Sequence, residues 1–262
     1  SGYPGEIFLY YEGTFIKKSI EILNLDKDSE DTDCLIFDAD GDGSNDLYVA
    51  SGGNEFSVYS PELRDRLYFN NKLEFTKSNQ ILPGGSFSSS SVVIKNDFDS
   101  DGDYDLFVGS RLVPQKYGIP ASSYILRNEG DGSFVNMSDS IAPGLKDLGM
   151  VTDAKWLDYD RDNDLDLVIV GHWMPVTIFK NDNNIFTKTI QKNLLNSNGW
   201  WNTIHVSDLN NDGFEDLIVG NQGKNSRFRS SVNKPLRMYV NDFDENGSNE
   251  QIIFQYNGDS AY

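Results

Sequence analysis

The chain has 262 residues, 38% of them hydrophobic, and its 41 acidic against 22 basic side chains give a formal net charge of −19. This length suffices for one large core, and the negative charge argues against nucleic acid as a partner because phosphates repel an acidic surface. No run of about 18 apolar residues predicts a transmembrane segment, no signal peptide is expected, and the single cysteine excludes an internal disulfide framework.

The first predicted elements are two short strands, Ile7–Tyr10 and Thr14–Ile16, on either side of the turn Glu12-Gly13. Their aromatic and β-branched residues predict a hairpin, which we interpret as the outer pair of strands of a larger repeat. Cys34 follows in an apolar run, where we expect a small buried residue rather than a reactive thiol.

An acidic nine-residue segment then recurs at residues 38–46, 97–105, 158–166, 208–216 and 242–250, and we call these segments acidic loops 1 to 5. Positions 1, 3, 5 and 9 carry oxygen-bearing side chains, and position 6 is Gly except for Asn163, which tolerates the same left-handed backbone. Calcium takes about six to eight oxygen ligands, and alternate residues of a tight loop can all point at one ion. Carboxylates crowded this closely repel one another unless a divalent cation lies between them. The spacing therefore predicts calcium loops, with about four to five Ca²⁺ ions per chain.

The predicted ligands are the side chains at positions 1, 3, 5 and 9 and the backbone carbonyl at position 7. In acidic loops 1 to 3 these residues are Asp38, Asp40, Asp42, Ser44 and Asp46; Asp97, Asp99, Asp101, Asp103 and Asp105; Asp158, Asp160, Asp162, Asp164 and Asp166. In acidic loops 4 and 5 they are Asp208, Asn210, Asp212, Phe214 and Asp216; Asp242, Asp244, Asn246, Ser248 and Glu250. Acidic loop 5 departs most from the pattern, with an amide at position 5 and Glu at position 9, so the sequence predicts calcium there less strongly.

Short β-branched and aromatic runs follow the acidic loops, as in Leu47–Ala50 and Leu167–Val170. An EF-hand needs a bidentate Glu at position 12 and a helix after the loop. Position 12 is aliphatic in every copy, namely Val49, Val108, Ile169, Val219 and Ile253. Helical calcium-sensor repeats are therefore disfavoured, and each acidic loop is predicted to join two β-strands.

A second hairpin is predicted after each of the first three acidic loops. These hairpins are Leu67–Asn70 with Glu74–Phe75, Ser123–Asn128 with Ser133–Val135, and Val176–Phe179 with Ile185–Phe186. Four strands in each unit of roughly 50 to 60 residues indicate a propeller blade. The predicted fold is thus an all-β propeller of four-stranded blades, as a partial ring or fragment of a seven- or eight-bladed propeller. The approximate blade limits are 1–33 (outer hairpin only), 34–90, 91–148, 149–197, 198–240 and 241–262 (incomplete).

The pattern Asp-x-Asp-x-Asp-Gly-x-x-Asp-Leu between strands resembles the FG-GAP/VCBS repeats of integrin α-subunit propellers and many bacterial surface proteins. The resemblance covers nearly the whole chain and is closest to large VCBS-repeat proteins of Bacteroidota-type bacteria, some of them similar to cartilage acidic proteins. Supporting stretches are Tyr48–Glu55, Gly149–Asp153, Gly171–Pro175 and Gly220–Ser226. The resemblance implies a calcium-stabilised propeller with a binding role, exported to the surface of a Gram-negative bacterium or beyond it.

A partner-binding surface is predicted on the rim opposite the acidic loops, where the connections between strands 2 and 3 and between blades gather. Aromatic platforms beside guanidinium groups suit sugars with carboxylates or the centre of a protein interface. The candidate residues are Arg111, Trp173, Trp200, Trp201, Arg227 and Arg229. Two alternatives stay open: Trp200 and Trp201 open an inner strand and can be core residues, and the arginines can simply neutralise the acidic surface.

Catalytic motifs are scarce. The sequence has neither a Gly-x-Ser-x-Gly elbow nor a Walker loop, and His172 and His205 lack a second ligand at zinc spacing. We therefore expect a non-enzymatic, exported calcium-binding module that contacts proteins or glycans, including other outer-membrane components. The alternative is a polysaccharide-active enzyme resembling rhamnogalacturonan lyases, or an accessory subunit of a glycan-uptake system. A base in the central channel beside an uncommitted calcium would favour that alternative.

Overall fold

The computed structural model describes residues 3–82, 88–257 and 260–261, and these residues form an all-β fold of antiparallel sheets. The strands are β1 Ile7–Tyr11, β2 Thr14–Lys18, β3 Glu30–Phe37, β4 Asp46–Gly52, β5 Arg66–Asn71, β6 Glu74–Lys77, β7 Ser89–Asn96, β8 Asp105–Leu112, β9 Tyr124–Asn128, β10 Phe134–Asn136, β11 Met150–Leu157, β12 Asp166–Met174, β13 Thr177–Asp182, β14 Ile185–Thr189, β15 Gly199–Ser207, β16 Asp216–Asn221, β17 Arg237–Asn241, β18 Glu250–Phe254, β19 Tyr256–Asn257 and β20 Ser260–Ala261. The helices are α1 Glu21–Leu25, α2 Ser138–Ile141 and two 3₁₀ turns, Pro61–Leu63 and Pro143–Leu145. Among the described residues, no helix combines the length and apolar character needed to cross a membrane.

Three four-stranded units follow one another along the chain, each with its strands in sequence order. We call them blade 1 (β3–β6), blade 2 (β7–β10) and blade 3 (β11–β14). In each blade the acidic loop joins the first strand to the second, and a tight turn joins the third to the fourth. The fold class expected from the sequence, a β-propeller of four-stranded blades with acidic loops between strands 1 and 2, is confirmed.

A hydroxyl at a bulge in the first strand connects each blade to the next. Thr32, Ser91 and Thr152 lie where the register shifts between the first and second strands. Thr32 Oγ1 lies 3.1 Å from the carbonyl of Ala50 in its own blade and 2.9 Å from the carbonyl of Ser90 in blade 2. Ser91 and Thr152 repeat the arrangement toward the following unit. The bulge therefore fixes the distance and register between neighbouring first strands.

Apolar layers fill the space between consecutive blades. Phe37 and Leu106 are fully buried between blades 1 and 2, and Phe107 and Phe179 are fully buried between blades 2 and 3. A third layer packs blade 3 against β15 and β16 and includes the buried side chain of Ile204. Since side chains alternate across a strand, blades 2 and 3 each bury both faces of their sheets.

Hairpins make up the region after blade 3. β15 pairs with β16 around acidic loop 4, and β17 pairs with β18 around acidic loop 5. The end of β12 also pairs with the start of β15, where His172 lies opposite Trp200. Tyr239, Phe243 and Ile252 of the last large hairpin line an apolar groove and remain partly open to solvent. Two further short strands, β19 and β20, follow β18 and were not expected from the sequence.

Cys34 is exposed, so the expectation that it is buried is wrong. It lies on β3, where Leu35 and Phe37 face blade 2. Cys34 points to the opposite face together with Ile36, which is 61% exposed. The cluster formed around α1 packs on β4, β5 and β6 but not on β3, so this face of the first strand stays open.

Candidate functional site

The five acidic loops share one backbone conformation. Positions 4 and 6 both have positive φ, as at Gly41 (73°) and Gly43 (85°) in acidic loop 1. Asn163 takes position 6 of acidic loop 3 with φ of 74°, as its tolerance of left-handed backbone predicts. Position 4 of the other loops holds Ser100, Arg161, Asn211 and Glu245, with φ of 60° or 61°. Because non-glycine residues rarely adopt these angles, their recurrence shows that the loops curl in the same way.

The carboxylate at position 1 closes each loop. Asp38 accepts hydrogen bonds from the N–H groups of Gly41 and Gly43, both at 2.9 Å. The first residue of each other loop also accepts the N–H of position 6, and the side chain at position 5 accepts the N–H of position 7 in all five copies. Each carboxylate oxygen has a second lone pair, so these bonds leave acceptor capacity for a cation.

Position 9 is a buried anchor in the first three loops. Asp46, Asp105 and Asp166 are at most 1% exposed. One oxygen of Asp105 accepts from the N–H of Phe98 (3.2 Å) and the other from the N–H of Asn128 (2.9 Å), and loops 1 and 3 repeat this pair. Burial raises the pKa of Asp105 to about 7 and that of Asp166 to about 6; the backbone donors oppose this shift and the neighbouring loop carboxylates add to it. Burial therefore disfavours the charged form of these anchors.

Carboxylate oxygens converge within four of the loops, with one oxygen from each residue lying within 4.8 Å of the others. The groups are Asp38, Asp40 and Asp42; Asp97, Asp99 and Asp101; Asp158, Asp160 and Asp166; Asp242, Asp244 and Glu250. Asp99 Oδ1 and Asp158 Oδ1 are buried and have no hydrogen-bond partner among the described residues. A buried carboxylate oxygen without a partner is costly unless a cation takes it. The donor set consists of hard oxygens, which fits Ca²⁺ rather than Zn²⁺.

Acidic loop 3 differs from the others because the chain supplies cations to it. Lys180 on β13 forms ion pairs with Asp160 and with Asp162, the latter at 3.0 Å. The hydrogen bond from Lys180 lowers the pKa of Asp162. The guanidinium of Arg161 lies 3.3 Å from the ring centre of Phe214 and donates to the carbonyl of Gly213, both in acidic loop 4. Loop 3 is thus partly neutralised by its own blade and linked to the next loop.

The opposite rim carries a cluster of five side chains, which we call the aromatic cluster: Tyr117, His172, Trp173, Trp200 and Phe228. The ring centres of Trp173 and Trp200 are 5.9 Å apart, and those of Trp200 and Phe228 are 6.4 Å apart. His172 packs edge-on against Trp200 at 5.4 Å, and the indole N–H of Trp173 donates to the hydroxyl of Tyr117 at 3.2 Å. Four separate segments of the chain therefore meet at this place.

The predicted partner-binding residues separate into different environments. Trp173 and Trp200 belong to the aromatic cluster, and Arg227 lies 5.0 Å from the ring centre of Phe228. Arg111 is exposed and exerts its charge on His172 and Tyr117. Trp201 instead packs against the apolar layer beside blade 3, and its indole N–H donates to the carbonyl of Ser197. Arg229 donates to carbonyls of its own loop.

Sequence reasoning missed the asparagine near the end of each blade's third strand, which is Asn70, Asn128 or Asn181. The side-chain amide of Asn181 donates to the carbonyl of Leu165 in acidic loop 3, and its backbone N–H donates to Asp166. The side chain of Asn70 likewise donates to Asn45 in its own acidic loop, whereas that of Asn128 donates to Ala39 in acidic loop 1 of the preceding blade. Through their backbone N–H groups all three asparagines clamp the outer hairpin to the position 9 aspartate of their own blade. The signal was visible in the sequence, since an asparagine recurs just before the turn that follows each predicted third strand.

Comparisons with known proteins place these loops in a family. The FG-GAP-like repeat family matches residues 38–108, 97–169 and 158–219, so each match runs from one acidic loop through the next. A comparison with curated proteins gave no significant match. A solved structure of an Agrocybe aegerita lectin, which recognises non-reducing terminal N-acetylglucosamine, is similar over 86% of the chain, with 16% identity and a TM-score of 0.44. The chain spans 63% of the length of that structure.

Proposed function

The chain belongs to the family of FG-GAP-like repeat proteins, and we propose that it is a calcium-binding β-propeller module that binds a glycan or protein partner outside the cell. The chemistry that calcium supplies when bound is neutralisation and cross-linking of carboxylates within each acidic loop. The side chains at positions 1, 3, 5 and 9, with the carbonyl at position 7, are the residues that would hold it.

One observation carries the calcium part of this proposal. Asp99 Oδ1 and Asp158 Oδ1 are buried acceptors without a partner among the described residues, and both belong to groups of converging carboxylates. A cation satisfies such atoms where the described donors do not. The same loop conformation in all five copies supports extending the assignment to the other loops.

The test is calcium stoichiometry. Protein freed of metal by a chelator and then titrated with Ca²⁺ in a calorimeter should take up about four to five equivalents, in keeping with the number of acidic loops. Elemental analysis of the saturated protein provides an independent count. Asp97→Ala should remove one equivalent, because Asp97 is the residue that closes acidic loop 2 through the N–H groups of Asp101 and Gly102.

Asp131→Ala is the matched control. Asp131 is an exposed aspartate in the outer turn of blade 2, hydrogen-bonded to Ser133, and lies outside every acidic loop. This variant should keep the full calcium count. Fewer than two equivalents in the parent protein, a preference for Zn²⁺, or equal losses in both variants would contradict the assignment.

Partner binding is assigned to the rim opposite the acidic loops. Arg111, Trp173 and Trp200 lie at the ends of β8, β12 and β15 that are distant from those loops. We infer a binding rather than catalytic role and propose export to the outer-membrane surface of a Gram-negative bacterium, on the resemblance of the repeats to those of large VCBS-repeat proteins. The blade limits given from the sequence are part of the same proposal.

A further inference from the structure

The aromatic cluster has the features of a ligand platform, beginning with a strained backbone at its centre. Trp173 has φ of 63°, a conformation that a bulky side chain rarely adopts. Its ring is held there by the hydroxyl of Tyr117, and its carbonyl accepts from the amide of Asn198 at 3.4 Å. Strained residues of this kind persist where surrounding contacts fix them, and they are concentrated at binding sites.

Polar groups around the rings lack full hydrogen bonding. His172 Nδ1 and Trp200 Nε1 are buried without partners among the described residues. His172 Nε2 lies 3.2 Å from the amide oxygen of Asn202, and the amide nitrogen of Asn202 reaches Gln222 at 3.4 Å. Because burial lowers the pKa of His172 to about 4, its ring is neutral near neutral pH and offers hydrogen bonding rather than charge. This side of the cluster therefore presents the amides of Asn202 and Gln222, which suit hydroxyl groups, beside a partly buried imidazole that keeps one nitrogen unpaired within the described part of the chain.

Two arginines contribute positive charge near the rings. Arg111 makes no ion pair among the described residues, and Arg227 lies over the ring of Phe228. Two such guanidinium groups beside one patch are notable in a chain with a net charge of −19. Arginine recognises planar carboxylates through paired hydrogen bonds. The charge complements an anionic ligand.

From these observations we propose that the aromatic cluster, with Arg111 and Arg227, binds an acidic saccharide through the carboxylate of a hexuronic acid residue. The proposal rests on the proposed function, since it specifies the partner of the same rim. Trp173, Trp200 and Phe228 are partly exposed. The ring planes of Trp173 and Trp200 differ by 33° and those of Trp200 and Phe228 by 34°, so the three rings can offer similarly oriented faces for a sugar to stack on. Asn202 and Gln222 are placed to meet its hydroxyls. A peptide partner is less favoured because amides, rather than apolar pockets, border the rings.

The experiment measures binding of short oligogalacturonic acid to the calcium-saturated protein by calorimetry. The fully methyl-esterified oligomer of the same length is the matched probe, since it keeps the sugar rings and removes the charge. The free acid should bind at least about tenfold more tightly than the ester. Arg111→Gln and Arg227→Gln should each weaken binding of the acid by about tenfold. Trp173→Phe, which keeps a ring at the strained position, should weaken both probes alike.

Arg127→Gln is the control, because it removes the same charge from a different place. Arg127 lies on the acidic-loop rim, in an ion pair with Glu129. It should bind the acid as the parent protein does. Equal affinity for acid and ester, or retention of binding in Arg111→Gln, would overturn the proposal. Binding of a polyglutamate peptide in place of the saccharide, lost in Arg111→Gln, would overturn it in favour of a protein partner. Calcium counts on the same samples separate the outcomes: a full count without saccharide binding refutes only this inference, whereas a low count refutes the proposed function.

Discussion

Blades 1 to 3 and the hairpins after them carry the same acidic loop in different surroundings. At position 9, the side chains of Asp46, Asp105 and Asp166 are at most 1% exposed, whereas those of Asp216 and Glu250 are only half-buried. At position 11 of the repeat, Tyr48 is fully buried whereas Ile218 is 46% exposed. Among the described residues, the later hairpins lack the outer pair of strands that brings the clamping asparagine to the loop. The loop conformation is therefore local, while its burial depends on the rest of the blade.

Of the changes considered, calcium removal is expected to have the largest effect on the stability of the blades and of the hairpins after them. At a free calcium concentration about a hundredfold above Kd, each occupied loop stabilises the native state by about 2.7 kcal/mol. Chelation removes this stabilisation from several loops at once. It should therefore lower the melting temperature by tens of degrees. Hydrogen exchange should show protection lost first in β15–β18 and later in β3–β14. A melting temperature that stays within a few degrees, with metal loss verified by elemental analysis, would show that the loops are not needed for stability.

Substitution at position 9 tests the anchor directly. Asp105→Asn should cost about 3 kcal/mol, because an amide nitrogen cannot accept one of the two backbone N–H groups that the buried carboxylate holds. Asp216→Asn should cost about 1 kcal/mol, since Asp216 accepts only from Leu209 among the described residues and is half-buried. Urea denaturation at saturating calcium measures both values. Equal costs would mean that the blades do not determine the role of this residue.

Lowering the pH should strengthen the contribution of Asp65 to the contact between blades 1 and 2. Asp65 accepts from Tyr48 and Ser51 of blade 1 and from Ser90 of blade 2. Burial raises the pKa of Asp65 to about 6, with these donors opposing the shift. The folded state then binds a proton more readily than the unfolded state, so this group's contribution to stability grows as pH falls from about 6 toward 4.

The variant Asp65→Asn isolates that contribution. Relative to the variant, the parent protein should gain roughly 2 kcal/mol of unfolding free energy between neutral pH and about pH 4.5. The difference between their denaturation curves, measured at high calcium, cancels the acid response of the loops. A constant difference across this pH range would show that Asp65 stays ionised in the folded protein.

The smallest expected effect concerns Lys180, whose ammonium group pairs with acidic loop 3. Lys180→Gln should raise calcium affinity at this loop severalfold, because Lys180 pairs with two of the predicted ligands and competes with the ion. High salt should reduce the difference, since the pair is solvent-exposed. Arg127→Gln is the matched change in blade 2, because Arg127 also precedes the clamping asparagine but pairs with Glu129. If both variants shift affinity equally, the position of the charge does not matter.

The sequence by itself determined the repeated units. Oxygen ligands at alternate positions, a turn residue at position 6 and an aliphatic position 12 predicted strand–loop–strand units, and the first three outer hairpins were found close to the predicted residues. This succeeded because ligand spacing and strand alternation are properties of neighbouring residues. The positive φ at Arg161 was not foreseen, since nothing in the identity of that residue favours it.

Only the tertiary structure decided which side chains meet across blades. It separated Trp200, in the aromatic cluster, from Trp201, which packs against the apolar layer beside blade 3, and it left Cys34 exposed on the open face of β3. It also brought Lys180 to acidic loop 3. The physical reason is the same in each case: burial, strain and ion pairing depend on residues far apart in the chain, and packing between blades fixes their distances.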